Sequence, residues 1–339
     1  MANLKRAAIQ IPNINRPHVV ILGAGASLAA FPNGDKNGRK LPLMWNIVEV
    51  VGLKPMLDEA AITENLDDFE KLYSNLVVAG GNEVVIAKID FAIFEYFASL
   101  ELPDEPTLYD HLVLSLRSKD VIATFNWDPF LVQAMVRNSG QCRPPETIFL
   151  HGNAAIGYCM RHKPATVGRR GCLCSRCLLL LENSRLLYPV GQKNYNSDSS
   201  VEESWKSIRH YLAIAEIVTV FGYSAPVTDV EALGLLSTGW GNSLDRSREE
   251  FEIIDLKDED ELVVTWDNFI HTHHYRVSKD FYSSIIGLSP RRSCEAMWAQ
   301  NMGTIFIETN PIPQHCSWDC LKDFYAILLA DECDYDGAG

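Results

Sequence analysis

No run of eighteen or more apolar residues occurs in this 339-residue chain, which therefore offers no membrane-spanning helix. The first seventeen residues lack an apolar core followed by a small-residue cleavage site, so no secretory signal is expected. Cations are scarce: 30 Lys and Arg stand against 44 Asp and Glu, a net charge of −14. That balance argues against a direct nucleic-acid interface or an anionic membrane surface. One local exception gathers Arg161, His162, Lys163, Arg169, Arg170 and Arg176. Nine cysteines cannot all pair, and five crowd between Cys142 and Cys177, a pattern of reduced thiols and metal rather than disulfides. A cytoplasmic protein is the expectation. There is also no internal repeat and no low-complexity linker. With 47% hydrophobic and 22% charged residues, the chain has material for one large globular domain or two ordinary ones.

The most informative stretch is 19–27, Val-Val-Ile-Leu-Gly-Ala-Gly-Ala-Ser. Four apolar, mostly β-branched residues read as a buried parallel strand. Gly23 and Gly25 permit a tight turn and a close backbone approach to a ligand, and a helix is expected to open at Ser27. Free N–H groups there favour a phosphate. The usual dinucleotide fingerprint has a third glycine where this chain has Leu28, and a tight turn without a ligand fits the same residues. The turn-rich residues 31–45 then form a loop that can lie over whatever the turn binds.

Further strands are expected at 120–125, 146–150, 217–221 and 251–256, between helical stretches at 46–100, 108–116 and 201–215. Polar residues follow the strands, where open α/β sheets bind ligands: Asn126 and Asp128, then His151, then Gly222 and Ser224, then Asp255. Asn126 and Asp128 equally suit caps of a helix starting near Pro129, and His151 suits either acid–base work or a satisfied core position. The acidic run 258–261 reads as a solvated turn. Residues 263–339 read as a helical or mixed extension whose acidic tail, from Asp331, is expected to be disordered.

Cys159 and His162 are separated by two residues, as are Cys174 and Cys177, with eleven residues between the pairs. This is the spacing of a closed, structural zinc site. Five candidates compete for four positions, and Cys172 falls outside the knuckle spacing.

In order along the chain stand the Gly-Ala-Gly-Ala-Ser turn, Thr124-Phe125-Asn126-Trp127-Asp128, His151-Gly152, the cysteine module and Gly222-Tyr223-Ser224. Over residues 19–256 this set resembles the sirtuin family. The resemblance implies a Rossmann-like parallel sheet with helices on both faces and a small inserted zinc module. Residues 1–18 would be an N-terminal arm, 19–262 the NAD-binding catalytic domain with the module at 155–180, and 263–339 the extension. It implies NAD as substrate and structural Zn2+, with cleavage of the nicotinamide–ribose bond. Asn126, Asp128 and His151 would line the nicotinamide ribose pocket. Gly23, Ala24, Gly25 and Ser27 would hold the phosphates, and Gly222, Ser224 and Asp255 the adenosine side. Protein-deacylating sirtuins carry Gly-Ile-Pro-Asp-Phe-Arg after the glycine turn. Here that place holds Phe31-Pro32-Asn33-Gly34 and Leu41-Pro42-Leu43-Met44-Trp45, and Phe125 stands where they have Gln. Gly-Tyr-Ser followed by Pro226 and Asp229 looks instead like a divergent bacterial branch that hydrolyses NAD in antiphage defence. A homo-oligomer and a separate sensor or activator protein are the partners that analogy implies.

Overall fold

The computed structural model describes residues 14–162, 165–188, 199–225, 229–246, 248–303 and 308–336. Pro226, most of the N-terminal arm and the last three residues of the acidic tail lie outside them.

Six strands form one fully parallel sheet in the order β3-β2-β1-β7-β8-β9. They are β1 (His18–Leu22), β2 (Val121–Thr124), β3 (Glu146–Phe149), β7 (Ile217–Phe221), β8 (Glu250–Ile254) and β9 (Tyr275–Ser278). Three shorter strands, β4 (Ile156–Cys159), β5 (Thr166–Arg169) and β6 (Glu182–Asn183), pair antiparallel in a separate small sheet. Counted along the main sheet alone, the order is 3-2-1-4-5-6, the doubly wound Rossmann arrangement. Every strand of the expected set is present.

The helices are α1 (Ala24–Ala30), α2 (Ile47–Val51), α3 (Lys54–Glu59), α4 (Phe69–Ala79), α5 (Glu83–Ala98), α6 (Leu108–Ser115) and α7 (Phe130–Asn138) in the first half. The second half adds α8 (Ser199–Ile214), α9 (Val230–Trp240), α10 (Glu259–Thr265), α11 (Ile285–Leu288), α12 (Ser293–Asn301) and α13 (Trp318–Asp336). Alternation along β1 divides the core. Val20 and Leu22 join Leu72, Ile89, Leu112 and Phe130 from α4 to α7 on one face. Val19 and Ile21 join Trp205, Leu236 and Trp266 from α8 to α10 and the residue after it on the other. Residues 19–22 of β1 are apolar on both faces because both are covered by helices.

Three expectations are corrected. Helix α1 starts at Ala24, not Ser27, because Gly23 is its N-cap in an extended conformation. The acidic run is no turn: Asp258 is the N-cap of α10, and Glu259, Asp260 and Glu261 fill its first turn, where negative charge is favoured by the helix dipole. The tail is helical to Asp336, anchored by Glu332, whose carboxylate accepts Nη2 of the buried Arg291 at 2.9 Å. Residues 263–339 also supply β9, the sixth strand of the sheet.

Candidate active site

The strand order reverses between β1 and β7, and a crevice opens at the carboxyl ends of strands on either side of such a point. Two crossover turns meet there backbone to backbone. Gly23 N–H donates to Phe221 O at 3.0 Å and Gly25 N–H to Gly222 O at 2.8 Å. A Cβ on Gly25 would lie 2.8 Å from Gly222 Cα, and one on Gly222, whose φ is +61°, would lie 2.2 Å from Ala26 N. The glycines are therefore required by this contact. Their N–H groups are spent inside the protein, as is that of Ala26, which leaves Ala24 N–H without an acceptor among the described residues.

Below the turn lies a closed polar network. Ser27 Oγ donates to Asp128 Oδ2 at 2.6 Å and sits 2.7 Å from Tyr109 Oη. Asn126 Nδ2 donates to Gly23 O at 2.9 Å, to Ser27 Oγ at 3.0 Å and more weakly to Tyr109 Oη at 3.4 Å. An ionised Asp128 can only accept, so Ser27 must donate to it, and the Tyr109 hydroxyl must then donate to Ser27. With its amino group pinned by Gly23 O, Asn126 keeps its carbonyl oxygen without a partner among the described residues. Asp128 Oδ1 accepts the N–H of Phe130, the first residue of α7, at 3.3 Å, so one carboxylate caps a helix and lines the cleft at once. Burial pushes the Asp128 carboxyl up to about 6, against the Ser27 and Phe130 donors that lower it. Asn153, two residues past His151, donates its amide to Asp128 O at 2.6 Å and so ties the end of β3 to the end of β2.

His151 follows β3, its ring edge-on to Phe125 with centroids 4.7 Å apart, and Phe125 stacks on Tyr223 at 4.2 Å. Gly152 has φ +77° and runs so close to Arg185 O that a Cβ would lie 1.9 Å from it, which fixes the chain where it turns away from the site. Tyr223 donates to Asp229 at 2.9 Å. Asp255, after β8, accepts the N–H of Lys257 at 3.0 Å.

A single cleft of about 490 Å³ brings these residues together: Gly23, Ala24, Gly25, Ser27, Asn126, Asp128, His151, Gly222, Ser224 and Asp255 all line it. Leu41 to Trp45, from the loop after α1, form its opposite wall, as expected of a loop lying over the turn. Asn126, Asp128 and His151 are each no more than 8% exposed, which puts these polar groups at the buried floor of the cleft. Tyr109 and Asn153 were not singled out from the sequence. Tyr109 sits inside an apolar helical run that reads as core, whereas Asn153 lies beside His151 after a strand, where its position was the available signal.

Away from the cleft, Cys159, His162, Cys174 and Cys177 present their ligand atoms within 4.8 Å of one another. Cys159 Sγ and Cys177 Sγ are 3.6 Å apart. His162 Nε2 is buried with no protein partner, as a metal-facing nitrogen would be. Burial opposes a thiolate at Cys174, yet the backbone N–H groups of Arg176 and Cys177 bring its pKa down to about 6. Cys172 is exposed and outside the group. Three thiols and one imidazole at this separation fit a tetrahedral Zn2+ and leave no open position.

No family model matches the chain, and no curated protein matches it. Its neighbours among solved structures are Sir2 proteins. Sir2Tm bound to a propionylated peptide is 14% identical over 78% of this chain and 88% of that one, with a TM-score of 0.33. A mutant Sir2 homologue in complex with ADP-ribose is 14% identical over 75% and 90%, with a TM-score of 0.33. Sir2 bound to an acetylated peptide is 13% identical over 86% and 94%, with a TM-score of 0.35. No described helix is long and apolar enough to cross a membrane.

Proposed function

We propose that the chain is an NAD glycohydrolase that cleaves the nicotinamide–ribose bond to give nicotinamide and ADP-ribose. The observation that carries this reading is the convergence of Asn126, Asp128 and His151 with the glycine turn, Ser224 and Asp255 in one cleft at the switch point. A dinucleotide would lie across the turn, its adenosine end toward Ser224 and Asp255 and its nicotinamide ribose toward Asn126. The C1′–N bond breaks with its electron pair leaving on nicotinamide. An oxocarbenium-like centre forms, and water adds its oxygen to C1′ and releases a proton. The partner-less carbonyl oxygen of Asn126 would hold the attacking water or a ribose hydroxyl, and His151 would manage the proton. Polar groups held at the buried floor of the cleft act strongly on developing charge.

Zn2+ would be held by Cys159, His162, Cys174 and Cys177. With no vacant position it would supply shape to the module and no chemistry to the cleft. In keeping with the sequence resemblance, the biological role we infer is depletion of cellular NAD in antiphage defence, in the cytoplasm, by a homo-oligomer under a separate sensor or activator.

The test is to incubate zinc-replete protein with NAD and follow nicotinamide. Release without any peptide, lost in Asn126→Ala and in His151→Ala, is the expected result. Release only when an acylated peptide is added would make the protein a deacylase instead. Tight NAD binding without turnover under every condition tried would make it a sensing subunit.

A further inference from the structure

The Cys3His module carries more apolar surface than its own fold uses. Its core is Cys159, Cys174 and Leu181, with Cys177 packed against them. Of the four consecutive leucines at 178–181, Leu181 alone is turned inward, while Leu178 is 71% and Leu180 64% exposed, with Leu173 beside them at 60%. Leu173 and Leu180 face each other across a backbone bridge, so their side chains share one small surface. Exposed apolar groups clustered in this way mark contact surfaces.

The same module reverses the sign of the chain. Residues 156–183 hold Arg161, Lys163, Arg169, Arg170 and Arg176 against Glu182, a net +4, so the remainder of the molecule carries −18. The complement exists in the chain itself. Residues 54–98, which contain α3 to α5, hold nine carboxylates against three lysines. On this hairpin Val78 is 83% exposed, Val84 72% and Phe91 70%. Val84, Lys88, Phe91 and Glu95 recur at steps of four, three and four along α5 and form a single solvent-facing stripe. Glu95 at the end of that stripe pairs with Arg170 at 2.9 Å, and the Arg170 guanidinium lies over the Phe94 ring at 4.9 Å. The basic apolar module and the acidic apolar hairpin are thus neighbours in one molecule.

We propose that the Cys3His module is a self-association surface, docking on the α4–α5 hairpin of a second copy of this chain. Two adjacent, mutually complementary patches meet their counterparts twice across one two-fold axis, which makes the contact self-closing. Apolar side chains supply the adhesion, and the opposed charges fix which surface meets which. This contact gives the homo-oligomer inferred above its surface and rests on that part of the reading. It does not depend on NAD chemistry, so its failure would leave NAD cleavage standing, and a failed cleavage assay would leave the contact standing.

The experiment is sedimentation velocity of the zinc-replete full chain at micromolar concentrations, where one copy has a mass of 38.0 kDa. The expected result is a mass above one copy, shifting toward one copy in high salt. Leu173→Glu with Leu180→Glu, and separately Val84→Glu with Phe91→Glu, should each leave a monomer; all four positions are exposed. Arg161→Glu with Arg169→Glu, and separately Glu83→Lys with Glu95→Lys on α5, should each weaken self-association by about tenfold or more, roughly 1.4 kcal/mol. Mixing those two charge variants should restore a dimer containing one of each. Zinc content and melting temperature of each variant check the fold, and Leu173→Ser with Leu180→Ser replaces any glutamate variant that fails that check. A wild-type chain that stays monomeric, a mass unmoved by the leucine variants, or a charge-swapped mixture that stays monomeric would overturn the proposal.

Discussion

The hydroxyl of Tyr109 gives the floor of the cleft its polarity. It lies 2.7 Å from the cleft-lining Ser27 Oγ, and with Asp128 ionised and taking the Ser27 proton it is the donor that Ser27 accepts, while Gly23 O holds the Asn126 amide. Tyr109→Phe keeps the ring, which packs against Phe31 at 5.8 Å, and removes only the donor. We expect kcat for NAD cleavage to fall by about tenfold with KM little changed, the worth of one hydrogen bond of roughly 1.4 kcal/mol. Steady-state kinetics checks this, with the melting temperature as control. Asp128 gives a second prediction. Its carboxyl is raised from 3.8 to about 6 by burial, so the native state favours the neutral acid. The stabilisation is full below the unfolded value and is lost as pH rises through about 6. Urea unfolding from pH 4 to 8 should show wild type losing on the order of 3 kcal/mol relative to Asp128→Asn across that window. A difference that is flat with pH would refute it.

At the scale of elements, strands were legible because burial on both faces leaves continuous apolar runs, and all five expected in the sequence are present. The sixth, β9, was not. Its residues, Tyr-Arg-Val-Ser, are half-buried at the sheet edge, so they carry no apolar run. The acidic run misled for a related reason: charge at a helix N-terminus and charge in a turn look alike until the periodic residues that follow are packed, here Leu262 and Trp266. The glycine turn was legible as a tight place, but its partner was not. No local pattern says that Gly25 must clear Gly222, because the two are joined only by tertiary structure. Gly222→Ala should therefore cost several kcal/mol, roughly 3 or more, through both its positive φ and the 2.2 Å clash with Ala26 N. Thermal unfolding measures it. The cysteine module was legible by spacing alone, down to the omission of Cys172. Elemental analysis should find one zinc per chain in Cys172→Ser and much less in Cys174→Ser.

Across the whole molecule, residues beyond 262 are structural to the sheet. The edge of β8 pairs with β9, and the fully buried Glu252 takes donors from Ser278 at 3.3 Å, Thr219 at 2.9 Å and the N–H of Ile285 at 2.8 Å. Ending the chain at 262 would strip two of those three donors and strand a buried carboxyl whose protonation burial already favours. We expect such a truncation to be insoluble or to lack a cooperative melt in far-UV circular dichroism. A soluble, cooperatively melting product would show that the first 262 residues fold alone.

The two walls of the cleft are built from different stuff. One is the interlock of Gly23, Gly25 and Gly222, where main chain rests on main chain with no space to give. The other is the stretch ending in Trp45, a segment with few helical bonds of its own, moored through the Asp35 carboxylate to the N–H groups of Asn37, Arg39 and Glu101 and carrying an indole 64% open to water. On the proposed function NAD would pack against this second wall, so its binding should change the fluorescence of Trp45, while the glycine wall, main chain against main chain, carries no indole to report.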